Sequence, residues 1–453
     1  MLPSGAAAQT SEAPYQWLGR LDSDGNSVAV SSSEYVFVAG SIGLAVGDTD
    51  ALLTKYSSDG TKLWTRQFGR PGNTVSYDGI DNVGDVAADS DSNAYVVVDI
   101  QGSLDNQRHA GGRDAYVVKY APDGTKLWTR QFGTSQHEYG NSVALDPSSG
   151  DIYVSGYTQV GQFEGETKYG AYDGFLARYR PDGTRVWIRQ FGTANYDYGF
   201  KVGVDTVGNT YLAGRLEGGT TTAGSTDIQV FKFTPNGTQI WRRQFGSSGS
   251  ESVGDIAVDS SGNAYVGGDA GAALQGNTSS GGQDAFLARY SPDGTQVWVR
   301  QFGTTDTDSI YGVAMSSGGA PYVSGTTYGV LDISSAGSND AFVRRYSPDG
   351  TLGTTRQFGT RGQDDATGVG RASVSIQYAT DGDTKVWSIT PVGAGVGLGV
   401  SHYQTNTWVA DGMMERLNDD ARTARPSSPP THWYHTQRII TSMTVQINNG
   451  LNP

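Results

Sequence analysis

Cysteine is absent from this chain of 453 residues, which excludes disulfide crosslinks, thiolate metal sites and cysteine nucleophiles. Charge is sparse at 17% of residues, and the net charge is -14. A phosphate backbone would be repelled unless the few basic residues clustered, and no such cluster stands in the sequence, so no nucleic-acid partner is expected. No run of about 18 apolar residues exists, so no transmembrane helix is expected. The start, Met1-Leu2-Pro3-Ser4-Gly5-Ala6, lacks a basic segment followed by an apolar one, and no signal peptide is visible. Nor is there a Ser/His/Asp signature, a phosphate loop, a zinc-protease helix or a dinucleotide fingerprint.

What is present points to β structure. Glycine is plentiful at 64 residues and aromatics make up 11%, a balance that suits many tight turns. Zero cysteine, low charge and abundant small polar residues suit a secreted bacterial product, and an extracellular or cell-surface location is expected. The dominant feature is a repeat. Trp64-Thr65-Arg66-Gln67-Phe68-Gly69 returns at Trp128 to Gly133, Trp187 to Gly192, Trp241 to Gly246 and Trp298 to Gly303, with degenerate copies at Arg356 to Gly359 and Gln16 to Gly19. The closing glycines at 19, 69, 133, 192, 246, 303 and 359 are 50, 64, 59, 54, 57 and 56 residues apart. A near-fixed period of this size is one supersecondary unit repeated.

The copy ending at Gly303 reads as four strands: Asp255 to Asp259, Ala264 to Gly268, Asp284 to Tyr290 and Thr295 to Phe302. Ser260-Ser261-Gly262-Asn263 and Ser291-Pro292-Asp293-Gly294 are the turns between the first and last pairs. Alternation puts Trp298, Arg300 and Phe302 on one strand face, where a guanidinium lies flat between aromatic rings and packs one unit on the next. Four antiparallel strands per unit and about seven units predict an all-β, seven-bladed β-propeller with an atypical last blade and a C-terminal tail. The Phe-Gly-Thr segment, its acid, Ala257-Val258-Asp259-Ser260-Ser261-Gly262-Asn263-Ala264-Tyr265-Val266 and Asp284-Ala285-Phe286-Leu287-Ala288-Arg289-Tyr290-Ser291-Pro292-Asp293-Gly294 resemble the bacterial SBBP-type β-propeller repeat over about residues 15 to 370. That resemblance implies a propeller of extracellular or surface type.

Strand direction places the short turns on one side of the disc and the long second-to-third loops with the inter-unit connections on the other, where recognition is expected. An acid stands five residues after the closing glycine in Asp24, Glu138, Asp197, Glu251, Asp308 and Asp364, with Asp81 in its place in the longer second connection. Two readings stand: each acid fixes its own turn by accepting N–H bonds, or some of them converge on a bound cation, calcium being the ion that oxygen-rich clusters hold. Tyr139, Tyr157, Tyr172, Tyr196, Tyr198 and Tyr311 crowd the same side, suited either to stacking on a carbohydrate or to loop packing.

The repeat fades after Gly370. The chain divides into an N-terminal arm, 1–13, a propeller, 14–392, and a C-terminal extension, 393–453. Ser373 to Tyr378 and Lys385 to Ile389 remain strand-like, and Pro14 to Gly19 would then close the ring as an outer strand of the last blade. The functional expectation is a binding or structural module using its long-loop face on a protein partner or a carbohydrate, self-assembly included. The alternative is a calcium-supported enzyme, since some cyanobacterial alkylating enzymes that build cyclophanes look similar in carrying this type of propeller.

Overall fold

The computed structural model describes residues 17–19, 24–45, 48–69, 79–80, 82–217, 224–316, 318–332, 335, 338–359, 365–370, 374–381, 384–391 and 397–401. Strand follows strand throughout, and no helix occurs among the described residues. In the unit whose sequence is most regular, Glu251–Val258, Ala264–Ala270, Asp284–Tyr290 and Gln296–Phe302 pair in order as an antiparallel meander. The turns form because their residues satisfy them locally: Gly294 takes φ +82°, and Asp293 accepts bonds from Ser291 Oγ at 2.5 Å and Thr295 N at 3.1 Å.

The first strands of successive units, Asp24–Val30, Asn82–Ala88, His137–Leu145, Tyr196–Val204, Glu251–Val258, Asp308–Met315 and Asp365–Gly370, lie each against the next. The last lies against the first, so the fold closes on itself as a β-propeller. The cores sit between units. Phe37, Leu53, Val96 and Tyr116 form one buried cluster from two neighbouring sheets, and Tyr265, Leu287, Ile310 and Phe342 form another. Each sheet thus hides both faces against its neighbours, which is why strands such as Ala94–Ile100 and Asp284–Tyr290 read as apolar runs with little alternation.

The repeated Trp-x-Arg motif joins units by hydrogen bonds as well as by packing. Trp64, Trp128, Trp187, Trp241 and Trp298 each donate Nε1 to the proline carbonyl of the next unit's turn, at 2.9 to 3.1 Å. Arg66, Arg130, Arg243 and Arg300 lie over the tryptophan of their own strand and donate Nε to the glycine carbonyl of that same turn, at 2.7 to 2.9 Å. The guanidinium therefore rests on one ring and one turn instead of between two rings. The turn glycine has no room for a Cβ beneath this clamp: one on Gly294 would stand 2.8 Å from Trp241 Cδ2.

Seven equal four-stranded blades are not what results. Three four-stranded sheets stand separately, while the units 137–191 and 196–245 fuse into one eight-stranded sheet through the parallel pairing of Tyr172 with Tyr196. The first unit gains Gly79–Ile80 as a fifth strand. After Gly370, where the repeat residues are lost, the strands split: Asp365–Gly370 pairs with Gly397–Ser401, and Val374–Asp381 pairs with Thr384–Pro391. Trp17–Gly19 adds to the outer side of Thr384–Pro391.

Candidate functional site

Every first strand carries a β-bulge at the same level. The register shifts between Gly25 and Ser27, Val83 and Asp85, Gly140 and Ser142, Tyr198 and Lys201, Val253 and Asp255, and Ile310 and Gly312. Such bulges re-aim side chains at barrel rims and mouths. Just on the long-loop side of each bulge, one residue of the first strand pairs with one of the second: Asp24 with Ser41, Asn82 with Asp99, Tyr139 with Tyr157, Tyr198 with Arg215, Ser252 with Asp269, and Ser309 with Thr326. In a chain that repeats its motif almost letter for letter, this paired level changes chemistry from unit to unit.

At this level five of the six candidate tyrosines meet. Tyr139 stacks on Tyr157 with ring centres 4.7 Å apart and planes within 13°. Tyr157 continues to Tyr172 at 5.8 Å and Tyr198 at 6.0 Å, and Tyr172 meets Tyr196 edge-on at 5.0 Å. Tyr196 is 44% exposed, so the cluster has an open flank. Burial lifts the hydroxyls of Tyr139, Tyr157 and Tyr198 above the ordinary phenol range, leaving them neutral hydrogen-bonding groups at physiological pH. Tyr311 stands exposed at the bulge of Asp308–Met315.

Two arginines flank the rings, and sequence reasoning missed both. The Arg113 guanidinium lies 5.7 Å from the Tyr139 ring centre and is ion-paired with buried Asp99. Arg215 lies 5.3 Å from the Tyr198 ring centre. Burial pushes Asp99 up to about 6 in spite of Arg113, and burial does the same to Asp269 beside Ser252. The signal that would have found this level is the residue following Val-x-Gly and its variants in each second strand: Ser41, Asp99, Tyr157, Arg215, Asp269 and Thr326.

The acids five residues past the closing glycines take a different place. Glu138, Asp197, Glu251 and Asp308 are fully buried. Each accepts the backbone N–H and the hydroxyl of the Thr or Ser after its glycine: Glu138 from Thr134 at 2.7 and 2.6 Å, Asp197 from Thr193 at 2.7 and 2.8 Å, Asp308 from Thr304 at 2.6 and 3.0 Å, and Glu251 from Ser247. Asp24 opens the strand Asp24–Val30, and Asp81 and Asp364 lie outside the described residues. Among the described residues no group of three or more His, Asp or Glu side chains is placed to hold a metal ion. A shallow groove of about 430 Å³ lies elsewhere, between units at Arg130, Tyr179, Gly183 and Arg185, where Arg130 is already bonded to Gly183.

Below the mouth, Asp255 is half-buried in its bulge and accepts the Val313 amide of the next unit at 2.8 Å. Burial pushes its carboxyl up to about 7, against the pull of Lys201. With Asp99 and Asp269 near 6, the folded state holds more protons than the unfolded chain between about pH 4 and 7, so stability falls as pH rises through that window. Asp123, Asp182 and Asp349 are held below the usual carboxylate range by the turn amides of Thr125, Thr184 and Thr351. Their contribution is lost as pH falls below about 4. The expected melting temperature therefore rises from pH 7.5 to a maximum near pH 5 and drops below pH 4, and Asp255→Asn flattens the rise. A melting curve series that declines steadily from pH 7.5 to pH 5 contradicts this.

A family model described as the SBBP β-propeller repeat matches residues 127–164, 186–215 and 240–273. The chain carries SBBP repeats. The matched segments run from the Trp-x-Arg strand through the next unit's first and second strands, so the SBBP pattern includes both the inter-unit clamp and the bulge. The chain is also 25% identical over 334 residues to the regulatory protein FlaEY of Caulobacter vibrioides, a match covering 66% of this chain and 35% of that relative. It thus spans about a third of FlaEY's length. Among solved structures, a mutant puromycin hydrolase complexed with PGG aligns at TM-score 0.47 and 13% identity over 83% of this chain and 54% of that one. The β-propeller domain of the Trilobed protease from Pyrococcus furiosus aligns at TM-score 0.44 and 6% identity over 79% and 90%.

Proposed function

We propose that this propeller is a binding module, secreted or displayed at the cell surface, whose long-loop mouth takes a ligand with saturated or planar rings, a carbohydrate foremost. The observation that carries the reading is the group of five tyrosines with an open flank at Tyr196. Packing alone needs apolar surface, whereas Tyr139, Tyr157 and Tyr198 put hydroxyl-bearing rings at positions that are Asp24, Ser41, Asn82, Asp99, Ser252 or Asp269 in other units. Aromatic faces with polar tips grip sugar rings through their C–H faces and hydroxyls together. The zero-cysteine, low-charge composition supports the extracellular setting.

Tyr196→Ala and Tyr172→Ala are the discriminating variants. An array of oligosaccharides should yield at least one ligand for the native protein, and each variant should bind it about tenfold or more weakly, a loss of roughly 1.4 kcal/mol per tenfold. Tyr311→Ala should leave that affinity unchanged. Native binding untouched by Tyr172→Ala and Tyr196→Ala, or no sugar bound at all, would overturn the reading.

A further inference from the structure

We propose that Arg215 forms an anion subsite at the edge of the tyrosine group, so that the ligand carries a carboxylate on its sugar ring, as a uronic acid does. This rests on the tyrosine reading above and narrows it. Arg215 occupies a position that is Ser41, Asp99, Tyr157, Asp269 or Thr326 in the other units, so the repeat itself does not require a guanidinium there. Arginines elsewhere in the fold are committed: Arg66, Arg130, Arg243 and Arg300 to turn carbonyls, Arg113 to Asp99 and Arg178 to Asp151. Arg215 has no carboxylate at ion-pair distance among the described residues, and its Nε is buried without a hydrogen-bond partner.

The guanidinium lies over the Tyr198 ring, a contact that holds it without neutralising it. Asp269 and Glu251 lie within its electrostatic reach and balance it at longer range. Lys201, whose Nζ donates to the Asn141 carbonyl at 3.2 Å, acts on Asp255 below the bulges and is no part of this subsite. In a chain of net charge -14, a guanidinium beside a stacking platform forms a local positive site. A planar guanidinium matches a carboxylate through paired N–H donors, while the tyrosines hold the ring that bears it.

The test compares oligogalacturonate with its fully methyl-esterified form by titration calorimetry on the full chain. The native protein should bind the acid about tenfold or more tightly than the ester, with the preference shrinking as salt rises. Arg215→Gln should erase the preference while keeping the affinity for the ester, and Arg215→Lys should restore part of it. Tyr196→Ala should weaken both ligands alike. Equal binding of acid and ester by the native protein, or a preference that survives Arg215→Gln, overturns the subsite and leaves the tyrosine reading standing. Binding of neither overturns the subsite, and the tyrosine reading falls with it only if the oligosaccharide array also yields no ligand. A melting temperature for Arg215→Gln within about 2 °C of native separates a lost subsite from a lost fold.

Discussion

Gly254→Ala is expected to cost more than about 4 kcal/mol and to leave the chain largely unfolded on expression, one of the largest effects a single methyl group can have. Gly254 sits in the bulge between Val253 and Asp255. A Cβ there would stand 1.9 Å from the Ile310 carbonyl oxygen and 2.8 Å from Tyr311 Cα. Those atoms are backbone, and they belong to the neighbouring first strand at its own bulge, so no side-chain rotation relieves the clash. Either the bulge or the contact between units must open. Gly84→Ala meets the Gly140 carbonyl oxygen at 2.0 Å and should behave the same way. Gly43→Ala, with nothing within 4 Å of the added carbon, should change stability by less than about 0.5 kcal/mol. Urea denaturation of the three variants checks the ordering, and a Gly254→Ala protein as stable as Gly43→Ala would contradict the close approach of the strands.

Asp85→Ala is the second large effect, expected at about 3 kcal/mol. The Asp85 carboxylate accepts Ser27 Oγ at 2.5 Å and its own strand's Val86 N at 2.8 Å on one oxygen, and Ser142 Oγ at 2.8 Å and Val143 N at 3.0 Å on the other. One side chain thus ties three consecutive first strands together around the axis. Removing it strands two amides and two hydroxyls, each partly withdrawn from water, and hydrogen bonds to a charged acceptor contribute more than neutral ones. Asp85→Asn keeps an acceptor and should recover about half the loss. Hydrogen exchange adds a local readout: the Val143 amide should lose protection in Asp85→Ala more than amides of the unit 251–302. A loss under about 0.5 kcal/mol would mean that the carboxylate is better solvated than its four partners imply.

The architecture was legible because its signals repeat. The third strand, Asp284–Tyr290, stands where the sequence places it, and the second and fourth differ only at their ends. The first strand begins at Glu251, four residues ahead of the expected start, because the bulge at Gly254 interrupts the alternation on which strand reading depends. Near the C-terminal end, where an atypical last blade was expected, the strands do leave the four-stranded pattern; the eight-stranded sheet and the added strand Gly79–Ile80 are the departures the sequence did not announce. The site was only half legible. Tyrosines announce themselves by crowding, but Arg215 and Asp99 are single polar letters in apolar strands, and only their shared register shows that they face one mouth. The acids illustrate the reverse problem. A carboxylate that accepts the turn of Thr134 or Thr304 and one that coordinates a cation look alike as letters, and the geometry places Glu138 and Asp308 in their own connections.

The most direct measurement is a crystal structure of the full chain soaked with an oligosaccharide that binds it in solution. The account predicts sugar density across Tyr172 and Tyr196 with a polar group on Arg215. Density confined to the short-turn side, or to the groove at Arg130 and Arg185, would contradict it.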